Sequence, residues 1–200
     1  MAKVQLYIIN TEKYEYQKLL KAKYLKDEDI ANAEKYKLEV GKKEHLASDY
    51  LKNKYVGDYY YNENEKPVSD TSFFNVSHSY GHVIMAYSKD VPVGADVELK
   101  RTVSPDLVKY VSSESEYEKI KNDNDFYKLW TSKESVVKCQ GDGLLKNIKD
   151  IPGIPFEGKK TFDNDTYYSK IIEHDDIIVS ITIKDENDFE IEVINEEISF

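Results

Sequence analysis

Three short stretches of this chain carry residue types that could do chemistry together. The first is Val93-Gly94-Ala95-Asp96-Val97-Glu98. Read as a strand, its side chains alternate, so Val93, Ala95 and Val97 turn to a core while Gly94, Asp96 and Glu98 share the other face. Two carboxylates two residues apart on a strand lie about 6.6 Å from each other, close enough to meet at one cation. Their repulsion calls for a counter-charge. A hard divalent ion such as Mg²⁺, which takes one or two carboxylates together with substrate phosphates, supplies it. The plain alternative is a solvated strand face.

The second stretch is Trp130-Thr131-Ser132-Lys133-Glu134-Ser135-Val136-Val137-Lys138. On a helix, Trp130, Glu134 and Lys138 are spaced by four and stack on one face. In one reading Trp130 packs in a core, and Glu134 and Lys138 form a surface pair contributing about 0.3–0.5 kcal/mol. In the other, Glu134 accepts a proton, Lys138 neutralises phosphate and Trp130 walls the site against water. The third stretch, Phe74-Asn75-Val76-Ser77-His78-Ser79, ends a strand just before Gly81. A histidine flanked by hydroxyls there suits anion binding through imidazole and backbone N–H groups, although a satisfied turn histidine would look the same. His82 and His174 have no ligand spacing around them, which argues against zinc. Upstream, Glu65-Lys66-Pro67 sets a lysine beside a rigid proline and, alone, reads as a loop.

The elements that must position these residues follow from periodicity. Residues 3–9 read as a strand, and Thr11 as the cap of a helix over 12–25. Further helices are predicted over 27–34 and 40–55. Strands are predicted over 59–61, 73–77, 83–88 and 93–98, punctuated by Gly81 and by residues 89–92. Ser113 and Glu116 have capping-box spacing. Residues 125–139 form the clearest helix of the second half, stopped by Gly141 and Gly143. Residues 151–158 read as a loop. Residues 166–173, 177–183 and 189–194 read as a closing antiparallel meander. Runs of each type point to an α+β fold.

Composition narrows the setting. Of 200 residues 40% are hydrophobic and 12% aromatic, with 17 Tyr, so a core can form despite 33% charged residues. The net charge of −10, with Arg101 as the single arginine, sets nucleic-acid binding aside. No apolar run approaches the ~20 residues of a membrane span, and residues 1–10 lack the features of a signal peptide. Cys139 is the only cysteine, which excludes an internal disulfide and fits a reducing cytoplasm.

Taken in order, Lys66-Pro67, residues 74–79, Gly94-Ala95-Asp96-Val97-Glu98 and residues 130–138 resemble the 4′-phosphopantetheinyl transferases, the larger single-chain type that serves nonribosomal peptide synthetases and similar assembly lines. Ser115-Glu116-Tyr117 is a weaker match where the family often has a third acidic residue, and Gly141-Asp142-Gly143-Leu144 follows the last motif. The resemblance covers residues 65–144. It implies two similar α/β lobes about a pseudo-twofold axis, taken here as residues 1–90 and 91–200. It also implies transfer of the phosphopantetheine arm of coenzyme A to a serine hydroxyl of an acyl, peptidyl or aryl carrier protein, releasing 3′,5′-adenosine bisphosphate. By that resemblance Asp96 and Glu98, with Glu116, hold Mg²⁺; Glu134 deprotonates the serine or shares the metal; Lys138 stabilises the phosphate; and Lys66, Ser77 and His78 hold the nucleotide end. The family's basic 3′-phosphate contact falls among Lys42, Lys43, Glu44 and His45 with no register to choose it. A chain long enough to build both halves of the site is expected to be a monomer. The alternatives are a non-catalytic coenzyme A or carrier-binding module and a Mg²⁺-dependent diphosphate hydrolase.

Overall fold

The computed structural model describes residues 1–141 and 147–200; the expected stop at Gly143 and the end of the 141–144 run lie outside the described residues. The chain begins with β1 (Ala2–Asn10) and a 3₁₀ turn at Thr11–Lys13. Three helices follow: α1 (Tyr16–Leu19), α2 (Asp27–Ala33) and α3 (Glu39–Leu51). The short strands β2 (Tyr60–Tyr61) and β3 (Pro67–Val68) precede β4 (Phe73–Ser79), β5 (His82–Ser88) and β6 (Val93–Leu99). Then come α4 (Pro105–Val111), α5 (Glu114–Tyr117) and α6 (Asp123–Gln140). Strands β7 (Gly158–Phe162), β8 (Asp165–His174), β9 (Ile177–Ile183) and β10 (Phe189–Asn195) complete the chain. The fold is α+β, and none of the described helices is long and apolar enough to cross a membrane.

Two four-stranded sheets, ordered β10-β1-β5-β4 and β6-β9-β8-β7, pack face to face. Alternation decides the layers. Val4, Leu6 and Ile8 of β1, Ile84 and Ala86 of β5, Val93, Ala95 and Val97 of β6, and the odd-numbered residues of β9 fill the space between the sheets. Tyr7 and Ile9 face the other way, against Leu46, Ala47 and Tyr50 of α3. On the far side of the second sheet, Leu129, Val136 and Val137 of α6 cover Tyr167 and Ile178. The result is four layers: helices, sheet, sheet, helix.

The structure departs from expectation at both ends. The helix expected over residues 12–25 shrinks to α1, because Thr11 is tied to the β4–β5 turn. Its N–H and Oγ1 both donate to Gly81 O, at 2.7 and 2.8 Å, and Asn10 caps the turn instead. The segment expected over 40–55 becomes α3 followed by π turns over Lys52–Val56, ending at Gly57 in the left-handed region. The closing meander is only partly formed. Strands β7, β8 and β9 pair antiparallel, but β10 leaves them and runs parallel to β1. With β6 paired on the other side of β9, β10 cannot continue the meander beside β9, and it pairs with β1 at the edge of the first sheet. Residue 90 lies in the loop between β5 and β6, and β10 joins the sheet formed by β1, β5 and β4.

Candidate active site

The seam between β4 and β6 is made by side chains. Phe74, Val76 and His78 point toward the α3 side, so Asn75, Ser77 and Ser79 point toward β6. Ala95 N–H donates to Asn75 Oδ1 at 2.9 Å. Ser77 Oγ donates to Asp96 Oδ1 at 2.9 Å, and Ser79 Oγ donates to Glu98 Oε2 at 2.8 Å. Small polar residues at every second position thus fix both carboxylates of β6.

Helix α6 supplies the opposite wall, and Gly94 lets it come close. A Cβ on Gly94 would lie 2.2 Å from both Cys139 N and Ser135 O, so no larger residue fits under the helix. Ser135 Oγ, buried in the same contact, lies 2.9 Å from Ser180 Oγ and 2.7 Å from Thr182 Oγ1 of β9. At that height Trp130 Nε1–H donates to Glu98 Oε1 at 3.0 Å. Lys138 Nζ donates to Asp96 Oδ1 at 2.6 Å and to Ser77 Oγ at 2.9 Å.

An open pocket of about 320 Å³ results, in which Ser77, His78, Asp96, Glu98, Glu134 and Lys138 converge beside Val76 and Trp130. A larger hollow of about 570 Å³ is also lined by carboxylates and lysines, but Lys3, Lys89, Asp90, Glu190 and Glu192 are all exposed there. Burial, and then the charge of Asp96, push the carboxyls of both Glu98 and Glu134 above their usual range. For Glu98 these outweigh hydrogen bonds from Ser79 and Trp130. Asp96 Oδ2 is buried without a hydrogen-bond partner. A buried, unpartnered carboxylate oxygen beside two carboxyls resisting ionisation fits a site completed by a cation. Among the described residues no three His, Cys, Asp or Glu side chains close into a cage by themselves. The donor set therefore suits Mg²⁺, which fills its shell with water and ligand oxygens, more than a caged ion.

Residues 92–188, which carry β6 and α6, match the family model of the 4′-phosphopantetheinyl transferase superfamily. The chain is similar to 4′-phosphopantetheinyl transferase Sfp of Bacillus subtilis strain 168, with 39% identity over 77 residues, covering 36% of this chain and 34% of the relative. It is similar to 4′-phosphopantetheinyl transferase gsp of Aneurinibacillus migulanus, with 37% identity over 90 residues, 42% of this chain and 38% of the relative. The matches therefore span under two-fifths of the length of these relatives.

Around this pocket, two of the expected site residues stand elsewhere. Glu116 does not line the pocket. It closes the capping box that its spacing predicted, accepting Ser113 N–H at 2.9 Å, and also accepts Gly153 N–H at 3.1 Å and pairs with Lys133 Nζ at 2.8 Å. Both its oxygens accept hydrogen bonds within a buried cluster on another side of α6. Lys66 Nζ donates to Lys138 O at 2.7 Å, and Asn64 Nδ2 donates to Gly141 O at 3.3 Å. The β2–β3 turn thus holds the C-terminal end of α6, where carbonyls lack helical partners, rather than entering the pocket. On α3, Lys42 pairs with Glu34 and Lys43 with Glu39, while Glu44 turns inward toward His78. Three roles escaped the sequence reading: Ser79 as the partner of Glu98, Gly94 as a spacer, and Glu44 as the partner of His78. The Asn75-x-Ser77-x-Ser79 alternation is the signal that could have found the first.

Proposed function

We propose that this protein is a 4′-phosphopantetheinyl transferase of the larger single-chain type, moving the phosphopantetheine arm of coenzyme A to a serine hydroxyl of a carrier protein. The observation that carries the reading is the meeting of Asp96, Glu98, Glu134 and Lys138 with Ser77 and His78 in one open pocket. Asp96 and Glu98 would hold Mg²⁺, which neutralises the diphosphate when bound. Glu134 takes the serine proton; a carboxyl held above its usual range is better matched to that task than an ordinary one. The serine oxygen bonds to the phosphorus bearing the pantetheine arm, and the bond from that phosphorus to the bridging oxygen breaks. The electron pair leaves with 3′,5′-adenosine bisphosphate, and the Lys138 ammonium stabilises the charge that develops there. Ser77 and His78 face the phosphates. Cys139, buried and the sole thiol, is in keeping with a cytoplasmic location.

The test incubates the protein with coenzyme A, Mg²⁺ and an apo carrier protein and weighs the carrier by mass spectrometry. The expected result is a carrier heavier by one phosphopantetheinyl group. Intact coenzyme A bound with no carrier modified would replace this reading with a binding module, and hydrolysed coenzyme A with unmodified carrier would replace it with a hydrolase.

A further inference from the structure

Glu44 is the inward-facing member of the run Lys42-Lys43-Glu44-His45, and it is buried with 7% of its surface exposed. A carboxylate at that depth needs donors for both oxygens. Gly81 N–H donates to Oε1 at 2.7 Å, and His78 Nδ1 lies 3.2 Å from Oε2. Gly81 belongs to the tight β4–β5 turn, where Tyr80 and Gly81 both have positive φ (46° and 84°), a backbone that leaves the Gly81 N–H pointing at α3. Burial alone would push the Glu44 carboxyl up, yet the His78 and Gly81 contacts hold it below its usual range. The carboxylate is thus charged, in a place where neither neighbouring lysine reaches it: Lys42 and Lys43 are spent on Glu34 and Glu39.

His78 stands between this carboxylate and the open pocket. Its ring is half-exposed and lines the pocket with Ser77 and Lys138. With Nδ1 turned to Glu44, the free nitrogen of the ring is Nε2. We propose that Glu44 is a positioning residue for the ligand's phosphates: it holds His78 through Nδ1–H, so that Nε2 is the nitrogen presented to the anion. The carboxylate also balances the charge of the imidazole when Nε2 carries a proton and donates to phosphate, the same division of labour by which a second carboxylate orients a ligating histidine. The other titratable groups near His78 are His45 on α3, His82 on β5, and Asp96, Glu98, Glu134 and Lys138 around the pocket. This inference rests on reading the pocket as a coenzyme A site, and its test separates the two.

Long-range ¹H–¹⁵N spectra of histidine-labelled protein report which ring nitrogen of His78 is protonated. The expected result in the free protein is Nδ1 protonated and hydrogen-bonded, with the Nε2 signal moving when 3′,5′-adenosine bisphosphate is added. Glu44→Gln keeps an oxygen for Gly81 N–H but no longer dictates the tautomer, so both forms of His78 should appear. In the same variant KM for coenzyme A should rise about 3–10-fold with kcat nearly unchanged, the signature of lost uniform binding. In a His78→Gln background, Glu44→Gln should add little, since the two act as one unit. A wild-type His78 protonated only at Nε2 would overturn the inference, with no variant required. So would a Glu44→Gln protein whose His78 signals and KM are unchanged, or two substitutions whose effects on KM simply multiply. If wild-type protein binds no coenzyme A, the reading of the pocket fails, while the tautomer still decides the role of Glu44.

Discussion

Lys133 and Lys138 project from the same helix, and they end in opposite circumstances. Lys133 is fully buried, and its Nζ donates to Glu116 Oε2 at 2.8 Å, Ile148 O at 2.9 Å and Val111 O at 3.1 Å. Three acceptors require three N–H donors, so the group is an ammonium. The two partners respond differently. For Glu116, burial pushes the carboxyl up, but Lys133 and two backbone N–H groups hold it below its usual range; for Lys133, burial pushes the amine down despite Glu116. The three-acceptor geometry decides for an ionised pair. Lys138 instead reaches Asp96 at the rim of an open pocket where Asp96 Oδ2 lacks a partner and two carboxyls resist ionisation. A closed, satisfied cluster holds α5, α6 and their loops together. An open, under-satisfied one is poised to take a ligand.

The comparison can be broken in several ways. The largest effect is expected at Glu134. Glu134→Gln should lower turnover by about 10²–10⁴-fold while coenzyme A binding, measured by calorimetry, persists; turnover near wild type would remove the proton-accepting role. Next, Lys133→Met leaves Glu116 buried without its cation and should cost about 3–5 kcal/mol in urea unfolding, while Lys138→Met, at the rim of the pocket, should cost clearly less and abolish transfer. Equal stability losses for the two would dissolve the distinction between closed and open clusters. Gly94→Ala sets a methyl against helix backbone that cannot move aside, and should destabilise by about 1–3 kcal/mol or more and displace Glu134 and Lys138 together. A stable, active Gly94→Ala protein would show that α6 need not lie so close.

The smallest effects are in pH. Glu98 and Glu134 have raised folded values, so their contribution to stability is fully present below the usual glutamate value of 4.5 and is lost as pH rises through the folded midpoints. Glu116 has the opposite sign: its contribution is present above 4.5 and is lost as pH falls through its lower folded midpoint. Carboxyl-resolved NMR titration should place Glu98 and Glu134 above 4.5 and Glu116 below, and Mg²⁺ with coenzyme A should pull only the first two down. The closed cluster holds one more lysine, Lys160, pushed down to about 7 by burial. Its folded form sheds a proton that the unfolded chain keeps, so stability should rise with pH from about 7 toward 10.5, and Lys160→Met should flatten that rise.

Much of the site was legible because it lies on strongly periodic elements. The alternation of residues 93–98 placed Val93, Ala95 and Val97 between the sheets and Asp96 and Glu98 toward α6. The spacing of Trp130, Glu134 and Lys138 brought all three to one pocket. Glu116 carried two readings, cap and metal ligand, and the cap is the one its contacts satisfy, because a local hydrogen bond three residues away needs no tertiary partner. The contact of Lys66 with the end of α6 was not legible, because a lysine's long stem lets its charge serve a helix end as readily as a phosphate.

What the sequence determined by itself was the α+β character, most strands and long helices, and the faces that bear the chemistry, all consequences of local period. Only the tertiary structure decided which faces meet. The parallel pairing of β10 with β1, the depth at which α6 sits over Gly94, and the turn of Glu44 toward His78 join residues far apart in the chain. Period says which way a side chain points from its own element. It carries no information about which neighbour stands opposite, because that depends on which sheet edge is open and how closely two backbones can approach.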